Sequence, residues 1–364
     1  MKQPLIAITG GHLTPALAVI EQIQRIHPDW KMVFIGRRNS FEGAAIQSEE
    51  ERLVRALGIP FHGLTTGRFQ RSWSPFTVLS LLKIPLGMAT AFLWLMRLRP
   101  SLILSFGGYI ALPVVLAGKL LNVEIVTHEQ TMDLGLSNRI IARMAMRVLL
   151  ARDVGVPIRQ SLFDPVPEPE QSYLSDTPFP ILYITGGSTG AQSLNALIYP
   201  LLTGLSQSFH IIHQVGAQDL ENARRVRNGI SPEYRSHYNP VGYIDVGQLS
   251  WIYHHAALLV GRSGANTTAE VAALGVPALF IPLPWAAGDE QRINAQTLVD
   301  EGMAVLLDQK TLTGETLAAQ INSMMKSLPL YKKKAGEVAN QYPCDGALRV
   351  VKAIEEGIAR LNHS

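Results

Sequence analysis

Short, uniformly apolar runs recur along the chain, most of them followed by a stretch with apolar residues at helical spacing. Runs this short and this apolar read as strands buried on both faces, the pattern of a parallel sheet. They predict strands near residues 31–36, 101–105 and 124–127 in the first half and near 210–215, 258–261 and 278–281 in the second. Helical patterns separate most of them, which implies βαβ units. The first run, at Leu5-Ile6-Ala7-Ile8, is too short for a secretory signal and reads as the opening strand. Residues 346–361 read as one amphipathic helix.

One unit occurs twice. Leu5-Ile6-Ala7-Ile8-Thr9-Gly10-Gly11-His12 runs into a helix over about residues 15–26. Ile181-Leu182-Tyr183-Ile184-Thr185-Gly186-Gly187-Ser188 runs into another from about residue 191. Each is a buried strand, a tight glycine turn and a helix N-terminus, the opening of a nucleotide-binding α/β domain. The 364 residues exceed one comfortable core. Between the halves, prolines at 165, 167 and 169 oppose both helix and ladder, so the segment reads as a linker. The expected division is an N-terminal domain over 1–162, a linker over 163–178, a second domain over 179–342, and a C-terminal helix over 343–364 that returns to the first domain. The fold class is α/β, with two Rossmann-like domains whose parallel sheets face each other across a cleft. Ligands in such sheets sit at the carboxyl ends of the strands.

Composition adds little except through charge. A 47% hydrophobic and 17% charged chain is globular rather than disordered. The single cysteine, Cys344, excludes an intrachain disulfide and a cysteine metal cluster. The net charge is only +3, but no Asp or Glu stands between Glu51 and Glu124, where Arg52, Arg55, Arg68, Arg71, Lys83, Arg97, Arg99 and Lys119 all fall. A one-sign region of this kind seeks an anionic partner. Within it, residues 76–96 are nearly continuously apolar. Lys83 near the centre would cost about 2.5–3.5 kcal/mol in a bilayer. Pro85 and Gly87 interrupt the run, so it is expected to form a pair of helices lying on an anionic membrane surface rather than a span.

Several motifs carry chemistry. Thr185-Gly186-Gly187-Ser188-Thr189-Gly190 offers backbone N–H groups to an anion. The same residues match the G-x-S-x-G elbow of serine hydrolases, with Ser188 as nucleophile. That reading needs a late histidine, and none follows the strand near 278–281 before His363. A dinucleotide fingerprint fits poorly, since Ser188 and Ala191 replace two glycines and the next strand carries no acid. Arg262-Ser263-Gly264-Ala265-Asn266-Thr267-Thr268-Ala269-Glu270 opens a helix, with Ser263 or Asn266 as its cap and Glu270 in its first turn. There a phosphate would meet N–H groups while Glu270 accepts from a ribose hydroxyl. Asp289-Glu290-Gln291-Arg292-Ile293-Asn294 suits a polyhydroxylated ligand. His12 and His128-Glu129-Gln130 follow strands of the first domain and make it the side that activates an acceptor. His12 is the first candidate for the base and Glu129 the second. No Asp-x-Asp or Asp-x-Glu spacing of the kind that chelates a metal under a diphosphate is read in the chain, so a metal-free donor site is expected.

These motifs together resemble the bacterial N-acetylglucosaminyltransferases that convert lipid I to lipid II in peptidoglycan synthesis. The likeness runs over nearly the whole chain. It covers Thr9-Gly10-Gly11-His12 with Pro15-Ala16-Leu17-Ala18, Phe106-Gly107-Gly108-Tyr109, and His128-Glu129-Gln130 with Ser137-Asn138-Arg139. It resumes at Gly186-Gly187-Ser188 with Gly190-Ala191 and Leu194-Asn195, then at Arg262-Ser263-Gly264-Ala265, Glu270, Asp289, Gln291, Asn294 and Ala295. The resemblance implies a GT-B fold and an inverting transfer without metal or other cofactor. It implies UDP-N-acetylglucosamine as donor and undecaprenyl-diphosphate-linked muramoyl-pentapeptide as acceptor. It further implies a peripheral position on the cytoplasmic face of the cell membrane, contact with other cell-wall synthesis proteins, and no nucleic-acid partner. By motif position, Ser188 and the N–H groups of Ala265, Asn266, Thr267, Thr268 and Ala269 would meet the diphosphate. Ile244 would contact uracil with Arg159 nearby, Glu270 the ribose, and Gln291 and Asn294 the sugar. Thr9, Gly10, Gly11 and His12 would close over the reacting centre, with Thr131 beside it. Tyr109, Arg68, Arg71, Lys83, Arg97 and Arg99 would serve acceptor and membrane. Two positions depart from the family pattern: Ala7 and Ile8 stand where glycines are usual, and Thr131 where Asn is usual.

Overall fold

The structure is a computed structural model and describes residues 3–37, 48–64, 75–130, 136–164, 179–187 and 190–361. The chain divides into two compact units, one made of Met1–Gln160 with Cys344–Ser364, the other of Ser161–Pro343. Unit 1 contains β1 (Leu5–Thr9), β2 (Lys31–Arg37), β3 (Phe61–Leu64), β4 (Leu102–Ser105), β5 (Glu124–Glu129) and β6 (Arg147–Leu150). Unit 2 contains β7 (Ile181–Thr185), β8 (His210–Gln214), β9 (Tyr238–Val241), β10 (Ala256–Gly261), β11 (Ala278–Phe280) and β12 (Ala304–Leu306). The sheet orders are β3-β2-β1-β4-β5-β6 and β12-β11-β10-β7-β8-β9. Every pairing is parallel. Counted from the first strand of each unit, both orders are 3-2-1-4-5-6, the doubly wound Rossmann arrangement. The duplicated opening motif thus reflects a duplicated topology.

Strand composition follows from burial on both faces. Along β1, Ile6 and Ile8 join one core with the helices Leu13–Ile26, Glu49–Ala56 and Gly346–Leu361. Ala7 turns the other way, into a core with the helices Pro75–Leu98 and Gly108–Leu120. A strand covered by helices on both sides has no polar face to present, hence the solid apolar runs. Ala7 and Ile8, the departures from the family's glycines, are fully buried in β1, so the turn begins only at Gly10.

Two expectations are corrected. Residues 75–98 form one helix, Pro75–Leu98, with Pro85 inside it, rather than two. Proline forfeits a single hydrogen bond there, and packing of Ala91 and Leu95 into the core holds the continuation. Leu86, Leu93 and Met96 stay exposed on this helix. Among the described residues no helix is long and apolar enough to cross a membrane. The strand expected to end near residue 127 runs on to Glu129, because His128 and Glu129 pair with Leu149 and Leu150 of β6.

The helix Gly346–Leu361 returns to unit 1, where Ala347, Val350, Val351, Ala353 and Ile354 are buried against its core. Ile354→Ala should therefore destabilise the protein by about 2–5 kcal/mol, the usual cost of emptying a packed aliphatic site. Urea unfolding monitored by circular dichroism tests this, and an unchanged midpoint would remove the helix from the core.

Candidate active site

In each unit the strand order reverses between the first and fourth strands, and the carboxyl ends there are the ligand-binding place of this topology. In unit 1 these ends are Thr9 and Ser105, which pair in register. Phe106 N–H donates to the Thr9 carbonyl at 2.7 Å, and Gly11 N–H to the Gly107 carbonyl at 2.8 Å. The two glycine turns are thus laced together. A Cβ on Gly10 would lie 2.6 Å from Phe106 Cβ, so the approach requires glycine. Gly108 N–H donates to Asn138 Oδ1 at 2.7 Å, and the Asn138 amide nitrogen donates to Glu129. Asn138 therefore ties the second glycine turn to a buried carboxylate at the end of β5.

His12 is the N-cap residue of the helix Leu13–Ile26 and is half-buried. Its Nδ1 lies 2.6 Å from Gln130 Nε2. Burial holds its pKa below the ordinary 6.5, with the Glu129 carboxylate opposing, so the ring is neutral at pH 7. Behind it, burial takes His128 down to about 4, and its Nε2 faces the Gly155 carbonyl at 3.3 Å. Tyr109 stands half-buried in the first turn of the helix Gly108–Leu120. Arg159 is bound to Glu21 of the first helix, Nε to Oε1 at 2.6 Å, and both are largely buried. Its charge is neutralised within unit 1. Arg97 and Arg99 are exposed at the end of the helix Pro75–Leu98. Thr131, Arg68 and Arg71 lie outside the described residues, as does the side chain of Lys83.

Unit 2 repeats the arrangement. Thr185 and Gly261 pair in register, and Arg262 N–H donates to the Thr185 carbonyl at 3.2 Å, the counterpart of Phe106 on Thr9. Gly190, at φ +75°, has no room for a Cβ, which would meet the Val215 carbonyl at 2.2 Å. Ser188 lies outside the described residues. The cap of the helix Ala265–Leu274 is Gly264, with no side-chain bond, rather than Ser263 or Asn266. Ser263 instead donates to the Gln291 carbonyl at 2.7 Å. Because residue 264 is still extended, Glu270 falls in the second turn, not the first. There it is 7% exposed and accepts from Tyr253 Oη at 2.7 Å. Gln291 Oε1 accepts from Leu283 N–H at 2.9 Å, and Asn294 Nδ2 donates to the Ser263 carbonyl at 3.3 Å. These amides brace the loop after β11 against the one after β10. Ile244 is buried in the turn before the helix Val246–His255.

Arg262 was not among the sequence candidates. It is 5% exposed and donates to the Ile281 and Pro282 carbonyls and to Ser193 Oγ. Its Nε is buried without a partner, and burial lowers the guanidinium to about 10. A buried cation whose described hydrogen-bond partners are all neutral is a place for an anion to approach. The signal was a charged residue directly after the solid apolar run of β10. Tyr253 is a further builder of the site that the sequence does not mark, and Asn138 and Gln130 stand in the sequence motifs without a role of their own.

The helices leaving both reversal points share one feature. Leu13–Ile26, Gly108–Leu120, Gln192–Ile198 and Ala265–Leu274 have neither a side-chain cap bond nor an acid in the first turn. Elsewhere, Ser48, Asp245 and Thr313 cap their helices with side-chain bonds, although Leu328–Ala339 also begins without one. The expectation that the chain holds no Asp-x-Glu spacing is corrected, since one occurs at Asp219-Leu220-Glu221. Asp219 already accepts from Asn195, Tyr199 and Asn222, and Glu221 pairs with Arg224. His213, buried in the same network, is held by Tyr238 and Asn195 at both ring nitrogens and has none left to serve a serine nucleophile.

Two doubly wound parallel units, with uncapped helices at both reversal points, define the class. The family model described as the glycosyltransferase family 28 N-terminal domain matches residues 6–150, and the glycosyltransferase family 28 C-terminal domain matches residues 181–343. The protein is a GT-B glycosyltransferase. The UDP-N-acetylglucosamine–N-acetylmuramyl-(pentapeptide) pyrophosphoryl-undecaprenol N-acetylglucosamine transferase of Tolumonas auensis is 33% identical over 332 residues, 86% of each chain. The enzyme of that name from Burkholderia mallei is 32% identical over 95% of this chain and 94% of its own. Acinetobacter baumannii MurG superposes with a TM-score of 0.68 at 27% identity, over 97% of this chain and 99% of that one. The UDP-GlcNAc 2-epimerase of Neisseria meningitidis superposes at 0.61 with 11% identity over 97% and 99% of the two chains, a likeness of fold alone. The chain belongs to the family of these N-acetylglucosamine transferases.

Several buried histidines carry a pH dependence. Burial depresses His128 and His210 from 6.5 to about 4, and His213 to about 3. Below pH 6.5 the unfolded chain takes up protons that the folded one refuses, so this contribution to stability is complete above 6.5 and is lost as pH falls toward 4. The thermal midpoint should drop as pH goes from 6.5 to 5, a window above the ordinary carboxylate range, and His210→Gln should flatten the drop. A flat wild-type profile over that window would contradict the burial of these rings.

Proposed function

We propose that unit 2 binds UDP-N-acetylglucosamine and unit 1 the undecaprenyl-diphosphate-linked muramoyl-pentapeptide, and that the enzyme converts lipid I to lipid II with inversion. The observation that carries this reading is where the orphaned polar atoms lie. Among the described residues, the buried side-chain atoms without a partner include Thr9 Oγ1 and Gln130 Oε1 at the reversal point of unit 1 and Arg262 Nε and Asn266 Oδ1 at that of unit 2. Only His210 Nδ1 and Gln309 Oε1 lie elsewhere. Buried polar atoms are nearly always paired, so orphans gathered at two strand ends mark where a ligand supplies the partners.

In this mechanism the uncapped N-terminus of Ala265–Leu274 and the Arg262 charge stabilise the diphosphate as it leaves. Glu270 accepts from the ribose hydroxyls, and Gln291 and Asn294 orient the hexose. The acceptor hydroxyl attacks the anomeric carbon from the face opposite UDP and loses its proton to His12 Nε2. A neutral imidazole at pH 7 suits that task. The helix Pro75–Leu98, with exposed Leu86, Leu93, Met96 and Arg97, rests on the anionic inner face of the membrane, where the acceptor is presented.

Glu270→Ala should weaken UDP binding by about 1.5–3 kcal/mol, because ribose hydroxyls lose a charged acceptor. Calorimetry giving an unchanged dissociation constant would take Glu270 out of the donor site. His12→Ala should lower kcat for UDP release from lipid I by about 10²–10⁴-fold while UDP affinity stays near normal. Glu129→Gln should cost less, and the reverse ranking would move the base to Glu129. Sedimentation with phosphatidylglycerol vesicles should show binding that salt weakens. Leu93→Ser should reduce that binding, and no difference between anionic and neutral vesicles would refute the membrane surface.

A further inference from the structure

His12 and Gln130 lie side by side in unit 1, with the imidazole Nδ1 2.6 Å from the amide of Gln130. Such a contact decides which ring nitrogen holds the proton. An amide can present either its NH₂ or its oxygen by turning through half a circle. With the NH₂ on Nδ1, the imidazole proton sits on Nε2, and that nitrogen is a donor with no lone pair. With the oxygen on Nδ1–H, the lone pair is on Nε2. Only the second ring can take a proton there from an attacking hydroxyl.

The surroundings favour the second arrangement. With the NH₂ on Nδ1, Gln130 Oε1 is buried with no donor. Turning the amide gives that oxygen the Nδ1–H as its donor and leaves the NH₂ in the unpartnered place, where it is a donor rather than an acceptor toward the proposed diphosphate. The 2.6 Å separation is also close to the N–H···O range, which begins at about 2.7 Å. When Nε2 becomes protonated, the oxygen then faces the Nδ1–H of an imidazolium, whereas an NH₂ would meet it with like polarity. The neighbouring groups do not compete for this contact. Glu129 is bonded by Asn138, and His128 faces the Gly155 carbonyl.

We infer that Gln130 is a positioning residue whose carbonyl oxygen accepts from His12 Nδ1–H and so holds the ring with Nε2 as the basic nitrogen. Gln130 then does for His12 what a buried carboxylate does for the histidine of a hydrolase triad. A neutral amide performs the task without adding a negative charge beside a site that must admit a diphosphate. The functional meaning of the contact rests on His12 being the base, as proposed above, but the tautomer itself does not.

The test reads the tautomer directly. The full chain is labelled with ¹⁵N-histidine, and long-range ¹H–¹⁵N spectra are recorded at about pH 8, where imidazoles are neutral. His12 is identified by its disappearance in His12→Ala. The expected result is a protonated Nδ1 and a bare Nε2. Gln130→Leu should shift the ring toward the Nε2–H form that free imidazole prefers. It should lower kcat by about 10²-fold or more with KM for UDP-N-acetylglucosamine little changed, since a wrong tautomer costs a protease triad about 10⁴. Gln130→Glu should restore the Nδ1–H form and move the acid limb of the kcat/KM profile to higher pH. A protonated Nε2 in the wild type, or a tautomer unchanged in Gln130→Leu, overturns the inference. A protonated Nδ1 together with His12→Ala of near-normal kcat would sustain the tautomer and overturn the base assignment instead.

Discussion

The helix N-termini at the two reversal points, all four left without side-chain caps, are the constraint around which the site is arranged. A cap is worth about 1 kcal/mol and needs only a Ser, Thr, Asp or Asn at one position. The chain uses such caps at Ser48, Asp245 and Thr313, on helices that do not leave the reversal points. At the reversal points, Gly107 and Gly264 occupy the N-cap positions of their helices. The stability forgone is what keeps N–H groups and positive helix ends available to an anion. Gly264 makes this plain, because a side chain there would meet nothing within 4 Å and its backbone is extended at φ −64°. Neither sterics nor backbone strain demands glycine at that position.

The two units solve one backbone problem with different side chains. Phe106 N–H on the Thr9 carbonyl and Arg262 N–H on the Thr185 carbonyl are the same bond at the same place in the topology. Around the first stand an imidazole that burial keeps neutral and the polar groups beside it, namely His12, Gln130 and Glu129. Around the second stand a buried cation and fixed hydrogen-bonding groups, namely Arg262, Asn266, Glu270, Gln291 and Asn294. A unit that activates a hydroxyl needs a titrating group. A unit that holds a nucleotide diphosphate needs dipoles and charge that do not move.

The sheets were legible in the sequence because strands covered on both faces leave no polar residues in their runs, and the duplicated strand–turn–helix gave two units. Boundaries that depend on partners were not legible. Glu129 belongs to β5 only because Leu150 pairs with it, and Pro75–Leu98 stays one helix only because Ala91 and Leu95 reach a core assembled from other elements. At the site, the place of His12 directly after a glycine turn was legible in the sequence. Residues that act through distant partners were not. Asn138 reaches Gly108 over thirty positions, and Arg262 reaches Ser193 over sixty-nine. Glu270 was placed one helical turn too early because nothing in Ser263-Gly264-Ala265 shows which residue begins the helix.

Arg262 shows why such a site is built from neutral partners. A buried guanidinium would ordinarily be matched by a carboxylate, as Arg159 is by Glu21. Here the partners are two carbonyls and a hydroxyl, so hydrogen bonds hold the geometry while most of the charge goes unneutralised. The depression to about 10 is the mark of that imbalance, and the group is still fully charged at pH 7. A glutamate in the place of Ser193 would relieve the imbalance and stabilise the unbound protein. It would also set a negative charge at the end of β10, beside the N-terminus of Ala265–Leu274, and repel the diphosphate that the proposed donor carries. The unit therefore keeps an unfavourable charge at rest, which the anion of the proposed donor would relieve.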